Sequence, residues 1–303
     1  LTGIGQSFVK HLQSYAVWAY KQLSLSPSSL VVDVGSNDGT CLSFFKELGS
    51  KVVGVDPADA PAKIANGKGI HTINDYFTEQ VVNQIISHFG HADLVTSHNA
   101  LAHIDDLRPV FSNINNLLKP GGHLIFEVGY FKSVLENFIF DTTYHEHLDY
   151  HHAAPLVNML ISMGFSVIDI STNNVQGGSL RLWFQKLKSP SISPSAQLFL
   201  DNERSSILYD LPALNTWTEN INKSMAAFGS LVKSYASLSK KIVGYGVPTK
   251  ATLLLSLAGL DISHIPYFIE DNPLKVNRYL PGLGIPIFPL DKLYQDKPDV
   301  III

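Results

Sequence analysis

Cysteine is almost absent. Cys41 stands alone, so no disulfide closes within these residues and no multi-cysteine zinc knuckle is available. Charge is sparse too: Asp, Glu, Lys and Arg make up 16% of the chain, and 26 acids against 22 Lys and Arg leave a net −4, without the basic footprint of a nucleic-acid binder. No apolar run reaches the roughly 18 residues that a bilayer crossing takes, and no basic-then-apolar leader opens the sequence. Neither a nucleic-acid nor a membrane partner is expected, and the chain reads as cytoplasmic. Solenoid-period repeats and low-complexity tracts are also missing. What remains is 303 residues, 45% hydrophobic, enough for about two globular domains.

Short β-branched runs alternate with helical stretches, the pattern of βαβ units and a mostly parallel sheet. Strands are expected at Leu30–Val34, Lys51–Asp56, Ala92–Thr96 and His123–Val128. An edge hairpin is expected from Phe165–Ser171 and Ser179–Gln185, joined through Asn173-Asn174 and Gly177-Gly178. From Lys188 to Ser195 the composition turns to Pro and Ser, which marks the best linker. The expected division is an α/β, Rossmann-like domain with a terminal hairpin over 1–188, a linker and helical segment over 189–239, and a smaller Rossmann-like βαβ domain over 240–303. The chain opens on Leu1 and stops on the strand-like run Val300-Ile301-Ile302-Ile303, so a fragment cut at both ends is expected.

The first strand runs into Asp33-Val34-Gly35-Ser36-Asn37-Asp38-Gly39-Thr40 and then a helix from Cys41 to Leu48. Such a turn presents backbone N–H groups to a polar ligand. Asp56, 17 residues past Gly39, ends the next strand, where a carboxylate accepts ribose hydroxyls. Glycines at these corners also serve close packing alone. Two residues point to a particular ligand. Asp33 would repel a pyrophosphate but suits the ammonium of an amino-acid-like molecule, and Asn37 replaces the middle glycine of a dinucleotide turn. S-Adenosylmethionine is therefore favoured over NAD, with Asp33, Gly35, Asn37, Gly39, Asp56, Asp75 and Asn99 as candidate cofactor-binding residues. Further on, Leu117-Leu118-Lys119-Pro120-Gly121-Gly122-His123 resembles the fifth-strand entry of class I methyltransferases.

Phe140-Asp141-Thr142-Thr143-Tyr144-His145-Glu146-His147-Leu148-Asp149-Tyr150 gathers acid, base and phenol just after that strand, where doubly wound sheets line their ligand crevice. A surface loop with incidental histidines, or a metal site using His145, His147 and Glu146 with His151 and His152 nearby, are the competing explanations. Proton transfer accounts better for the mixture, since histidine accepts a proton near neutral pH and a carboxylate orients it. No metal is assigned. His103 follows the fourth strand; a lone histidine there more often caps or packs, but this one would face the same crevice.

Taken together, the Asp33–Thr40 turn, the Tyr144–Leu148 box and Gly177-Gly178-Ser179-Leu180-Arg181 resemble the sugar C-methyltransferases that act on nucleotide-linked 4-keto-deoxysugars. So do Gly244-Tyr245-Gly246-Val247-Pro248-Thr249-Lys250, Asp271-Asn272-Pro273 and Tyr279-Leu280-Pro281-Gly282. The resemblance covers essentially the whole chain. It implies that His147 is the base, with Glu146 behind it, and that Tyr144 and His103 contact keto and hydroxyl oxygens of the sugar. It also implies an N-terminal zinc-binding domain, which this chain lacks. Asp149, His151 and His152 depart from the family pattern. The expected chemistry is proton removal from C3 of a 4-keto-6-deoxysugar and attack of the enolate carbon on the cofactor methyl, with a nucleotide-diphosphate sugar as substrate. Arg181, Gly244, Tyr245, Gly246 and Lys250 are the candidate substrate contacts, the last four as a diphosphate turn for which an NAD site or plain packing is the alternative. O- or N-methylation of another small acceptor, or non-catalytic binding of a sugar nucleotide, are the other functions considered.

Overall fold

The computed structural model of the protein describes residues 2–142 and 147–303, and two compact units emerge: residues up to 137 with 148–209, and residues 138–147 with 210–303. In the first, β1 (Leu30–Val34), β2 (Lys51–Val55), β3 (Thr72–Ile73), β4 (Ala92–His98) and β5 (Leu118–Gly129) run parallel. The antiparallel pair β6 (Phe165–Asn173) and β7 (Ser179–Lys186) extends the sheet, giving the order β3-β2-β1-β4-β5-β7-β6. This is the class I methyltransferase sheet, with the expected hairpin on its edge.

Helices α1 (Gln6–Gln22), α2 (Thr40–Glu47), α3 (Asp59–Gly67), α4 (Glu79–Phe89), α5 (Leu107–Leu117), α6 (Phe131–Glu136), α7 (Ala153–Ser162) and α8 (Pro194–Arg204) surround it. Alternate strand residues point to opposite faces. Val32, Val34, Val95, Leu124 and Phe126 join one core with residues of α4, α5, α7 and α8, whereas Val31, Leu94 and Ile125 join another with Leu12, Tyr15 and Ala16 of α1 and Leu42 and Phe45 of α2. β1 is buried along its whole length, as a central parallel strand covered on both sides must be.

β4 runs two residues past the expected Thr96, and pairing of β5 with β4 jumps across the Pro120-Gly121-Gly122 turn, from Ala92↔Leu118 to Leu94↔His123. The Pro- and Ser-rich stretch lies along the edge of the sheet: the Val167 N–H donates to Ser191 O at 2.8 Å and the Ser193 N–H to Val167 O at 3.0 Å. Ala196 and Leu200 of α8 then enter the first core, and the change of unit falls at Tyr209–Asp210.

The second unit contains α9 (Leu211–Ser237), β8 (Ile242–Tyr245), α10 (Ala251–Leu257), β9 (Phe268–Ile269), β10 (Ile287–Phe288), α11 (Asp291–Asp296) and β11 (Val300–Ile302). Its four-stranded sheet is parallel throughout, in the order β10-β9-β8-β11. Val232 of α9 packs with Ile242, Leu255, Ile265, Phe268 and Ile287 to form its main core. No described helix is long and apolar enough to cross a membrane.

Candidate active site

Three left-handed residues shape the corner after β1: Gly35 at φ +75°, Asn37 at φ +50° and Gly39 at φ +73°. A Cβ on Gly35 would come within 2.3 Å of the Ala100 Cβ, so only glycine lets the loop after β4 approach the loop after β1. The Asn37 N–H donates to Asp56 Oδ2 at 2.8 Å and the Ala58 N–H to Asp56 Oδ1 at 2.9 Å, which fixes the Asp56 carboxylate at the end of β2. Asn37 Oδ1 in turn accepts the Thr2 N–H at 3.0 Å. Asp33 is 3% exposed; burial, and then the charge of Asp56, push its carboxyl well above the ordinary range. Its Oδ1 has no hydrogen-bond partner. Asp75, by contrast, lies exposed beyond β3 and accepts the N–H of its neighbour Tyr76.

Asn99 opens the loop after β4 at φ +55°, with its N–H donated to Glu127 O at 2.8 Å and its amide nitrogen buried without a partner. Beside it lies a buried polar cluster that sequence reasoning missed. Glu127 of β5, 1% exposed, accepts from His11 Nε2 at 2.6 Å, from Arg181 Nε at 2.6 Å and from Asn173 Nδ2 at 3.3 Å. The Arg181 guanidinium lies over the rings of Tyr15 and Trp18, 5.1 and 5.0 Å from their centroids. Burial alone would raise the Glu127 carboxyl, but the His11 hydrogen bond and the surrounding charges, Arg181 among them, outweigh it and bring it down to about 2. Arg181, singled out from the sequence as a substrate contact, thus has its charge balanced inside the fold. The available signal was the one acid in the apolar run Leu124-Ile125-Phe126-Glu127-Val128.

Of the histidine box, Tyr144 and Glu146 lie outside the described residues. His147, half-buried, donates from Nδ1 to the Thr142 carbonyl at 3.0 Å. His103 ends a short 3-10 turn, Leu101–His103, and its N–H donates to Ala100 O. Among the described residues no group of three His, Cys, Asp or Glu is placed to hold a metal ion.

In the second unit Gly244 is a packing glycine: a Cβ there would meet the Phe268 ring at 2.1 Å. Gly246 turns the chain at φ +83° with open space where a Cβ would stand. The Val247 N–H donates to Glu270 Oε2 at 3.0 Å, the Tyr245 hydroxyl to Asp271 Oδ2 at 2.8 Å, and Lys250 pairs with Asp141.

Two family models divide the sequence between them. A methyltransferase domain matches residues 8–170, and a C-methyltransferase C-terminal domain matches residues 174–303. The C-methyltransferase NovU of Streptomyces niveus is 32% identical over 298 residues, which span 98% of this chain and 71% of NovU. The chain belongs to the S-adenosylmethionine-dependent C-methyltransferases. A ubiquinone biosynthesis O-methyltransferase of Yersinia pestis (strain Pestoides F) is 33% identical over 32% of this chain and 40% of its own length. Among solved structures, the magnesium protoporphyrin IX methyltransferase ChlM of Synechocystis PCC 6803 with bound SAH is 18% identical, covering 59% of this chain and 83% of that one at a TM-score of 0.47. The cofactor of this C-methyltransferase is S-adenosylmethionine, and the ends of β1 and β4 fit it. A buried acid with an unpartnered oxygen, a corner that admits only glycine and an amide with an unpartnered nitrogen suit the polar end of an amino-acid-bearing nucleoside.

Proposed function

We propose that this C-methyltransferase methylates a carbon beside a ketone, at C3 of a nucleotide-diphosphate 4-keto-6-deoxysugar, in cytoplasmic deoxysugar biosynthesis. The observation that supports it most is the state of His147. Donation from Nδ1 to the Thr142 carbonyl orients the imidazole within the box that resembles sugar C-methyltransferases. A carbon acid next to a carbonyl must lose a proton before it becomes nucleophilic, so the site needs a base together with donors for the enolate oxygen. His147 Nε2 takes the C3 proton, Glu146 orients and charge-stabilises the imidazolium, and Tyr144 or His103 donates to the developing enolate.

S-Adenosylmethionine supplies the electrophilic methyl group, carried on a sulfonium. Asp33, Gly35, Asn37, Gly39, Asp56, Asp75 and Asn99 hold that cofactor. The Gly244-Tyr245-Gly246 turn takes the sugar nucleotide diphosphate, Lys250 exchanging Asp141 for it, and Arg181 completes the substrate set with its charge already met by Glu127. The test is turnover with labelled cofactor and a panel of 4-keto nucleotide sugars deuterated at C3, read by mass spectrometry. Methyl gain with deuterium loss is expected; methyl gain with deuterium retained points instead to an O- or N-acceptor. His147→Ala should lower turnover by about 10²- to 10⁴-fold or more, and near-normal turnover removes it from the role of base.

A further inference from the structure

At the carboxyl ends of β1 and β4, four side chains keep polar atoms away from solvent with no hydrogen-bond partner among the described residues: Asp33 through Oδ1, Asn99 through Nδ2, Ser36 through Oγ, and His98 through both ring nitrogens. The first two are cofactor candidates already. His98 has no role so far. β1 and β4 pair through Asp33↔Thr96, and the chain connections diverge between them, with β2 and β3 to one side and β5 to the other. Open α/β sheets bind their ligands at that switch point.

His98 lies two residues past Thr96 and so shares its face of the sheet. Tyr15 of α1 packs there, its hydroxyl 2.7 Å from Thr96 Oγ1 and its ring 4.5 Å from the imidazole at 72°, which fixes the imidazole edge-on. Burial brings His98 down to about 4, against the opposing pull of Glu127. At neutral pH the ring is therefore uncharged, with one N–H donor and one acceptor nitrogen. The polar groups around it have spent their hydrogen bonds on one another: Tyr15 with Thr96, and Glu127 with His11, Arg181 and Asn173. Most buried polar groups in proteins are satisfied; several described side chains here, Ser36 and His151 among them, leave one buried atom without a partner, but only His98 leaves two.

We propose that His98 is a cofactor-binding residue that grips the α-amino-carboxylate end of S-adenosylmethionine together with Asp33 and Asn99. The inference rests on the cofactor placement proposed above and adds one residue to it. The ammonium needs acceptors, which Asp33 and the bare imidazole nitrogen supply. The carboxylate needs donors, which the Asn99 amide and the imidazole N–H supply. The sulfonium and its methyl group offer nothing to either ring nitrogen, and the ribose hydroxyls have Asp56 at the end of β2.

Calorimetric titration separates the amino-acid end from the rest, using S-adenosylhomocysteine and 5′-methylthioadenosine, which lacks that end. His98→Ala should weaken S-adenosylhomocysteine binding roughly 10- to 100-fold while changing methylthioadenosine by less than about threefold. His98→Asn, which keeps a donor and an acceptor, should recover most of the loss. Where the Ala variant does not fold, His98→Leu against His98→Asn gives the same comparison. Equal weakening of both ligands would make the imidazole a prop for the pocket, and unchanged S-adenosylhomocysteine affinity would leave it bonded to buried water; either overturns the proposal. Wild-type protein that binds S-adenosylhomocysteine no more tightly than methylthioadenosine would overturn the underlying cofactor placement as well.

Discussion

Glu127 is buried with a guanidinium on one side and an imidazole on the other, and its stabilising effect depends on acidity. Its carboxyl sits at about 2 in the folded protein against an ordinary 4.5. Because the folded value is the lower one, the ionised form favours folding. The contribution, on the order of 3 kcal/mol, is complete above about pH 4.5 and drains away as pH falls toward 2. Glu127→Gln should cost about 3 kcal/mol near neutrality by leaving Arg181 buried without its counter-charge, and should flatten the acid limb of the stability curve. Urea midpoints from about pH 7 to pH 3 check both, and an unchanged acid limb would place that sensitivity in another group. At Gly35, an alanine must accept a left-handed backbone and a clash with Ala100. Gly35→Ala should lower stability by about 1–3 kcal/mol and weaken S-adenosylhomocysteine binding, measured by melting and by titration. The residues legible in the sequence were those contiguous in it, Asp33 to Gly39. His11 and Glu127, and the pairing of Arg181 with Glu127, stayed hidden because 116 and 54 positions separate the bonded pairs, and only the fold brings them together.

Among the elements, α7 shows what local sequence leaves out. Its N-cap residue, His152, provides no side-chain cap. Glu203 of α8, 1% exposed, reaches across and accepts the Ala153 and Ala154 N–H groups at 2.8 and 2.9 Å, together with the Tyr130 hydroxyl at 2.9 Å. A helix N-terminus favours negative charge, so this carboxylate caps from a distance what α7 does not cap itself. Glu203→Ala should cost about 2 kcal/mol, with Glu203→Gln costing less, since the amide oxygen still accepts one N–H; denaturant titration distinguishes them. A loss under about 0.5 kcal/mol would mean that water serves α7 equally well. The Pro- and Ser-rich stretch does not read as sheet edge from composition, because only two backbone–backbone hydrogen bonds, both with Val167, tie it to β6. In α8, Ala196 and Leu200 are buried in the core and Phe199 packs against it. β1 and β2 were legible because each is a short valine-rich run that ends at a turn. β9 and β10, two residues each, are too short to show any periodicity.

At the scale of the whole molecule, the chain crosses between its two compact units three times: residues 138–147 cluster with the second unit, 148–209 return to the first, and 210–303 belong to the second. A division by sequence position alone, at the Pro- and Ser-rich stretch, has no means of finding the short excursion, because contacts rather than composition define it. The excursion carries His147 and its partner Thr142, while Asp33, Asp56, His98 and Asn99 belong to the first unit. With the roles proposed above, cofactor binding and proton removal would draw on different units. A chain ended at Tyr209 keeps the seven-stranded sheet and the ends of β1 and β4 but loses α9 and the parallel sheet with which residues 138–147 cluster. It is expected to bind S-adenosylhomocysteine within about tenfold of the 303-residue chain, a difference of no more than roughly 1.4 kcal/mol, and to transfer no methyl group. Loss of binding in a truncated chain whose circular dichroism remains that of a folded α/β protein would show that the second unit helps hold the cofactor, and methyl transfer by that chain would remove His147's surroundings from the chemistry.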